Sequence, residues 1–211
     1  MYAGFDVLGY QRGYDAWRLM AADAGYAANF RSVDVLTTLA LATSGDTGTA
    51  VVRNFFNPPA ADAGNPLLNT GAPSFKEGGN VPSSSIFGIY ALWMQISVQL
   101  GTITQMNTLL AALMGGKVTA NIGNQPFVDW CVNRIFQSSD GGWAVSNDAA
   151  ATPLVARSNF MRSSMQALPA PKILDPGAQL SAKLTYSAAS IPVATNVTLA
   201  FHMFAADQGS N

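Results

Sequence analysis

One histidine, His202, and one cysteine, Cys131, set the ceiling on the chemistry this chain can assemble. A Ser-His-Asp relay is open in principle, because triads are built from residues distant in sequence. No Gly-x-Ser-x-Gly elbow accompanies it, and His202 sits between Phe201 and Met203 in an alternating run, where its plain reading is a sheet residue. Cys131 and His202 are the right types for a thiol nucleophile and its base. Yet Cys131, flanked by Trp130 and Val132, reads as a buried small hydrophobe. Zinc requires clustered His, Cys or carboxylate ligands, which a single His and a single Cys do not supply.

Glu77 is the sole glutamate, so glycosidase chemistry would need a pair of Asp. Asp46, Asp62 and Asp140 lie beside Gly or Ala in turn-like stretches, where Asp serves the backbone. No Asp-x-Asp-x-Asp run suggests calcium. The glycines of Gly4–Gly9 and Gly45–Gly48 lack the spacing of a phosphate-cradling loop. Asn196-Val197-Thr198 spells a glycosylation sequon, read as chance because Met1–Gly13 lacks the basic-then-apolar pattern of a secretory leader. The expectation is that the chain is not an enzyme, with no catalytic residue, no cofactor-binding residue and no metal ligand.

The elements that would position any site are strands. In Ala178–Ala206, Leu180, Ala182, Leu184 and Tyr186 alternate with Ser181, Lys183 and Thr185. Past Pro192 the pattern resumes, with Val193, Thr195, Val197, Leu199, Phe201 and Met203 on one side. Period-two alternation marks a half-buried strand, and two runs joined by a loop predict an antiparallel pair. Ala194, Ala200 and Phe204 leave the opposite face of the last strand less polar than a solvated one, so part of it should be covered. Val33–Thr43 and Thr49–Phe56, around the turn cluster Ser44–Gly48, predict another hairpin. Ser84–Gln99 is a long strand, with Ile86, Tyr90, Leu92, Met94, Ile96 and Val98 assigned to one face. Its first half is apolar on both faces. Lys117–Gly123 alternates too.

Thr104–Leu113 predicts a helix, with Thr104 as cap, Met106, Leu109, Leu110 and Leu113 inward, and Gly115-Gly116 as its stop. Tyr14–Ala24 predicts a second short helix ended by Gly25. Met1–Phe30, crowded with aromatics, is either a cap over an open end of the barrel or an arm onto a neighbour. Asn57–Asn80 reads as a long surface excursion. Pro126–Phe136 fits neither period, Leu154–Met165 is a strand or a loop, and Leu168–Pro176, with its prolines, reads as a connector. The sum is one all-β domain over residues 31–211, a single jelly-roll β-sandwich of about eight strands with one or two short helices.

Composition adds the first hint of function. Charged residues are 11% of the 211, against about 25% in ordinary soluble domains. Hydrophobic residues reach 49% and the net charge is −1. With eleven Phe, six Tyr and four Trp this is not a disordered chain. So few charges predict that much of the surface is covered by other protein. The 11 Lys and Arg are scattered singly, so no specific nucleic-acid binding is expected. No apolar run of about eighteen residues predicts a membrane-spanning helix.

Three segments carry a resemblance. Gly-Gly-Asn-Val-Pro-Ser-Ser-Ser (78–85) leads into Ile86-Phe87-Gly88-Ile89-Tyr90; Leu109–Gly123 is a short helix feeding an alternating strand; Asp175-Pro176-Gly177-Ala178-Gln179-Leu180 opens the terminal strands that end in Asn196–Phe204. In order and texture, from Gly78 to Ala206, the chain resembles the jelly-roll capsid proteins of icosahedral bacterial and archaeal viruses, particularly lineages with an internal membrane. The resemblance implies a virion structural protein, made in the host cytoplasm, that self-associates into capsomers and a shell. It also implies contact with a second capsid protein or spike, or with an internal membrane. The alternative is a β-sandwich binding module (a spike, adhesin or lectin-like domain), with Asn57–Asn80 and the aromatics near Trp143 forming the ligand surface.

Overall fold

Strands pair in a nested order, the first with the last and then inward along the chain. The computed structural model describes residues 7–41, 51–56, 79–98, 103–136, 159–163, 165–187 and 191–208. Among them lie β1 (Ala28–Leu41), β2 (Val51–Asn54), β3 (Ser85–Val98), β4 (Lys117–Ile122), β5 (Gln125–Cys131), β6 (Asn159–Arg162), β7 (Gln166–Leu174), β8 (Leu180–Tyr186) and β9 (Thr195–Asp207). The helices are α1 (Val7–Asp23), α2 (Ile103–Met114) and α3 (Val132–Ile135). β1 pairs with β9, β2 with β8, β3 with β6 and β7 set end to end, and β4 with β5, all antiparallel. Links between β3 and β9 and between β4 and β8 complete a wide sheet, β1-β9-β3-β6/β7, and a narrow one, β2-β8-β4-β5. With β6 and β7 sharing one position, this is the eight-position roll of a jelly-roll sandwich.

Between the sheets lies the main core. β3 contributes Phe87, Ile89, Leu92, Met94 and Ile96, β9 contributes Val197, Leu199, Phe201 and Met203, and β8 and β4 face them with Leu180, Leu184 and Val118. β8 follows its sequence alternation closely: Leu180, Ala182, Leu184 and Tyr186 are buried while Lys183 is exposed. α2 closes one end with Leu109, Ala112 and Leu113, and Leu110 is only half-buried. Thr104 lies inside the first turn of α2 instead of capping it, since the helix starts at Ile103; its carbonyl accepts the Thr108 hydroxyl at 3.0 Å.

Neither predicted hairpin forms. β8 and β9 lie in different sheets, as do β1 and β2. Alternation marks a strand and its buried face, and leaves its partner unspecified. The Thr37 hydroxyl of β1 donates to the carbonyl of Phe55, which follows β2, at 2.7 Å.

β3 departs from its predicted parity at one residue. Ile89 faces Met203 and Ala91 faces His202, which leaves Tyr90 as the extra residue of a β-bulge. Before it Phe87 and Ile89 point into the core, and after it Leu92, Met94 and Ile96 do. Ile86 and Tyr90 therefore belong to the outer face. Opposite the bulge, β7 also loses register, between the Ile89–Lys172 and Ala91–Ala167 pairs. Pro169 and Pro171 occupy that gap, where no ladder hydrogen bond is asked of them. The prolines thus mark an edge strand, not a connector.

Candidate functional site

The outer face of the wide sheet is covered by α1. Tyr10, Tyr14, Trp17 and Ala21 are spaced by four, three and four residues, so they form one stripe of a helix. The helix is longer than the predicted Tyr14–Ala24 and ends at Gly25, whose φ of +85° suits a left-handed cap; its N–H donates to the Ala22 carbonyl at 3.0 Å. Trp17, Ala21, Tyr26, Ile86, Phe204 and Ala206 form a second core between helix and sheet. Phe204 is its hub, stacked on Tyr90 at 4.4 Å and met by Tyr14 at 4.9 Å, Tyr10 at 5.1 Å and Trp17 at 5.5 Å between ring centroids. Gly88 makes room for this. A Cβ there would sit 2.5 Å from the Trp17 ring. The covering expected for the last strand is therefore supplied, over Phe204 and Ala206, by the chain's own first helix.

Beside the helix, against β7, opens a cleft of about 560 Å³ lined by Tyr10, Arg12, Ala16, Tyr90, Leu168 and Pro169 among others. Tyr10 has its pKa raised above 10.0, first by burial and then by the neighbouring Tyr90, so its phenol stays protonated at neutral pH. The Tyr90 hydroxyl lies 3.3 Å from that of Ser32.

Next to Tyr90, at 6.0 Å between rings, stands His202. It is 7% exposed and bonds through Nδ1 to the carboxylate of Asp34, its register partner on β1. Its Nε2 is buried with no hydrogen-bond partner among the described residues. The base and orienting acid of a relay are thus present. Among the described residues, the Nε2 that would take a nucleophile's proton meets no hydroxyl, and Ser32 is engaged with a phenol.

Cys131 is not brought to this place. It ends β5 in the narrow sheet, directly opposite Lys117, and is exposed, not buried as its apolar neighbours suggest. Trp130 and Val128 take the inward positions of β5, which puts Cys131 on the outward side. Asn196 of the sequon is half-buried within β9, between Ala40 and Ser97. Asp46, Asp62, Glu77, Asp140 and Trp143 lie outside the described residues, as does most of Asn57–Asn80. Among the described residues no three of His, Cys, Asp and Glu gather as a metal site. No described helix is long and apolar enough to cross a membrane.

Elsewhere the surface shows single large apolar side chains: Leu19 (67% exposed) and Met20 (54%) on α1, Val52 on β2 and Met165 before β7. The helix spacing Tyr10-Tyr14-Trp17-Ala21 was the signal for the covered sheet face; the pairing of His202 with Asp34 had none, since it depends on the register of two strands at opposite ends of the chain. No protein-family model matches this chain, and no curated protein matches its sequence.

Proposed function

We propose that this chain is a virion structural protein, a capsid subunit that forms an icosahedral shell by lateral contacts with its own copies. The observation that carries the reading is a jelly roll whose sequence holds only 11% charged residues. Jelly rolls serve in viral shells, in lectins and in cupins. A domain displayed singly in water needs a charged exterior, whereas one whose sides meet neighbours is depleted in Lys, Glu and Asp there. The exposed Leu19, Met20 and Val52 fit the second case. In this reading the protein resides in the virion, and a second capsid protein, a spike or an internal membrane are its further neighbours.

Light scattering and negative-stain microscopy of the purified full chain test it. Sheets, capsomers or shells are expected at micromolar concentration; a stable monomer there overturns the reading. The binding-module alternative is favoured by one observation, the cleft between α1 and β7 with its paired phenols and Arg12. Saturable binding of a soluble ligand by a chain that stays monomeric, lost in Tyr90→Ala, would establish that alternative instead.

A further inference from the structure

We infer that the outward ridge of α1 is a self-complementary contact, pairing antiparallel with α1 of a second copy of this chain. The inference deepens the capsid reading and rests on it for the premise that copies meet.

Successive helix residues turn by about 100°, so Arg12, Ala16, Leu19 and Asp23, spaced by four, three and four, share one stripe. That stripe lies on the side of α1 away from Tyr10, Tyr14, Trp17 and Ala21, and all four of its residues are exposed, with Arg12 and Ala16 also bordering the cleft against β7. It is apolar at the centre, where Leu19 is 67% exposed, and oppositely charged at its ends. The end charges are uncommitted: neither Arg12 nor Asp23 has an ion-pair partner among the described residues. Their neighbours are committed. Arg18 sits 5.6 Å over the Phe30 ring, and Asp15 accepts from Gln11 at 3.1 Å.

A twofold axis crossing the helix between residues 17 and 18 maps position 12 onto 23 and position 16 onto 19. Arg12 then meets Asp23 of the second copy, and Leu19 meets Ala16, a large side chain against a small one. Every contact occurs twice. The spacing matches automatically, since Arg12 and Asp23 stand about 16 Å apart along both helices. A parallel pairing would instead set Arg12 on Arg12 and Asp23 on Asp23. One positive and one negative end also give the ridge no preference for an anionic lipid surface, which basic clusters provide. A single helix pair falls short of the roughly 1,000 Å² of a stable interface, so the contact is weak alone and gains strength when other edges of the sandwich bind in the same lattice.

The test is a charge swap on the full chain, read by sedimentation velocity over a concentration series at low salt. Arg12→Asp and Asp23→Arg each replace two attractive pairs with two repulsive ones, and each should weaken dimerisation by about tenfold or more. The double variant R12D/D23R restores opposite charges by symmetry and should recover wild-type association to within about threefold. Leu19→Asp should abolish it. All sites are exposed, and circular dichroism and melting of each variant should match wild type. Self-association that ignores both reversals, or single losses that the double swap does not rescue, overturns the helix pairing and leaves the capsid reading standing. A dimer that follows the swap but never grows larger supports the pairing and overturns the shell. A wild-type chain that stays monomeric overturns both. Binding to phosphatidylcholine vesicles that Leu19→Asp removes, with the oligomeric state unchanged, overturns the pairing in favour of a membrane contact.

Discussion

On the narrow sheet, Lys117, Asp129 and Lys183 face solvent; on the wide sheet, Ile86, Phe204 and Ala206 face a helix. The narrow sheet writes its burial as an alternation, Leu180 in and Lys183 out, and dresses its outside with exposed pairs such as Lys117–Asp129 at 2.9 Å. In the wide sheet β9 is buried almost throughout, on both faces, and β3 is nearly so. A sheet sandwiched on both sides loses the polar half of its code. The molecule thus has three layers, a helix on a sheet on a sheet, and two cores of unequal size.

The inequality is open to test with one charge placed in each core. Phe201 and Phe204 are 0% and 1% exposed and three residues apart on the same strand, so they take opposite faces, Phe201 between the sheets and Phe204 toward α1. A carboxylate buried without a partner costs more than most domains have in reserve. Phe201→Asp should therefore abolish folding, seen as loss of soluble protein and of the β circular-dichroism signal. Phe204→Asp should instead release α1 and leave the sandwich folded, so that hydrogen exchange speeds up in Val7–Asp23 alone. If Phe204→Asp unfolds the sandwich as thoroughly, the helix layer is part of the main core and the contrast fails.

A subtler probe asks how closely the helix seats. Trp17→Ala should cost about 3–5 kcal/mol, measured by urea unfolding, because it empties the centre of the smaller core. Gly88→Ala puts a methyl 2.5 Å from the Trp17 ring, an overpacking worth about 1–3 kcal/mol. The two effects share one cause. In the Trp17→Ala background, Gly88→Ala should cost less than about 0.5 kcal/mol. Equal cost in both backgrounds would mean that Gly88 serves the strand and not the helix.

The same contrast explains what the sequence made legible. The alternation of β8 and β4 and the helical spacing of α2 are written in adjacent residues, and the structure follows them. The fold class was readable from such runs and from the absence of long helical periods. Partners were not. The Asp34–His202 contact joins residues 168 apart, and only a register set by two whole strands creates it. Bulges hide in the same way: one extra residue at Tyr90 moves Ile86 from the expected core face to the helix face, because parity inverts beyond it. The apolar neighbours of Cys131 suggest burial, yet adjacent strand residues take opposite faces and Cys131 is exposed. The stripe Tyr10-Tyr14-Trp17-Ala21 was present in the letters. The helix that carries it also holds Gly9 and Gly13, poor helix formers whose cost packing on the sheet offsets.

The smallest effects separate the two sheets through their carboxylates. Asp207, at the end of β9, accepts two bonds from Arg31, at 2.5 and 3.2 Å, and one from Ser85 at 2.7 Å, tying β1, β9 and β3 together. Asp129 accepts from Lys117 and Thr119 within a single hairpin. Both carboxyls are held below their ordinary 3.8, Asp207 first by the Arg31 bond and Asp129 first by the Lys117 bond. A carboxyl whose folded pKa is depressed stabilises the fold above its unfolded pKa, near 3.9, and this contribution is lost as pH falls through the folded value. The side chain of Asp207 is 25% exposed and joins three strands, so Asp207→Asn should cost about 1 kcal/mol at pH 7. It should also flatten the fall in stability below about pH 4, where the wild type loses this contribution. Asp129 has the same sign but lies in solvent, where water and salt screen the pair, and Asp129→Asn should leave the melting curve unchanged at every pH. A pH profile altered equally by both substitutions would place the electrostatic ties of the narrow sheet on a par with those of the wide one.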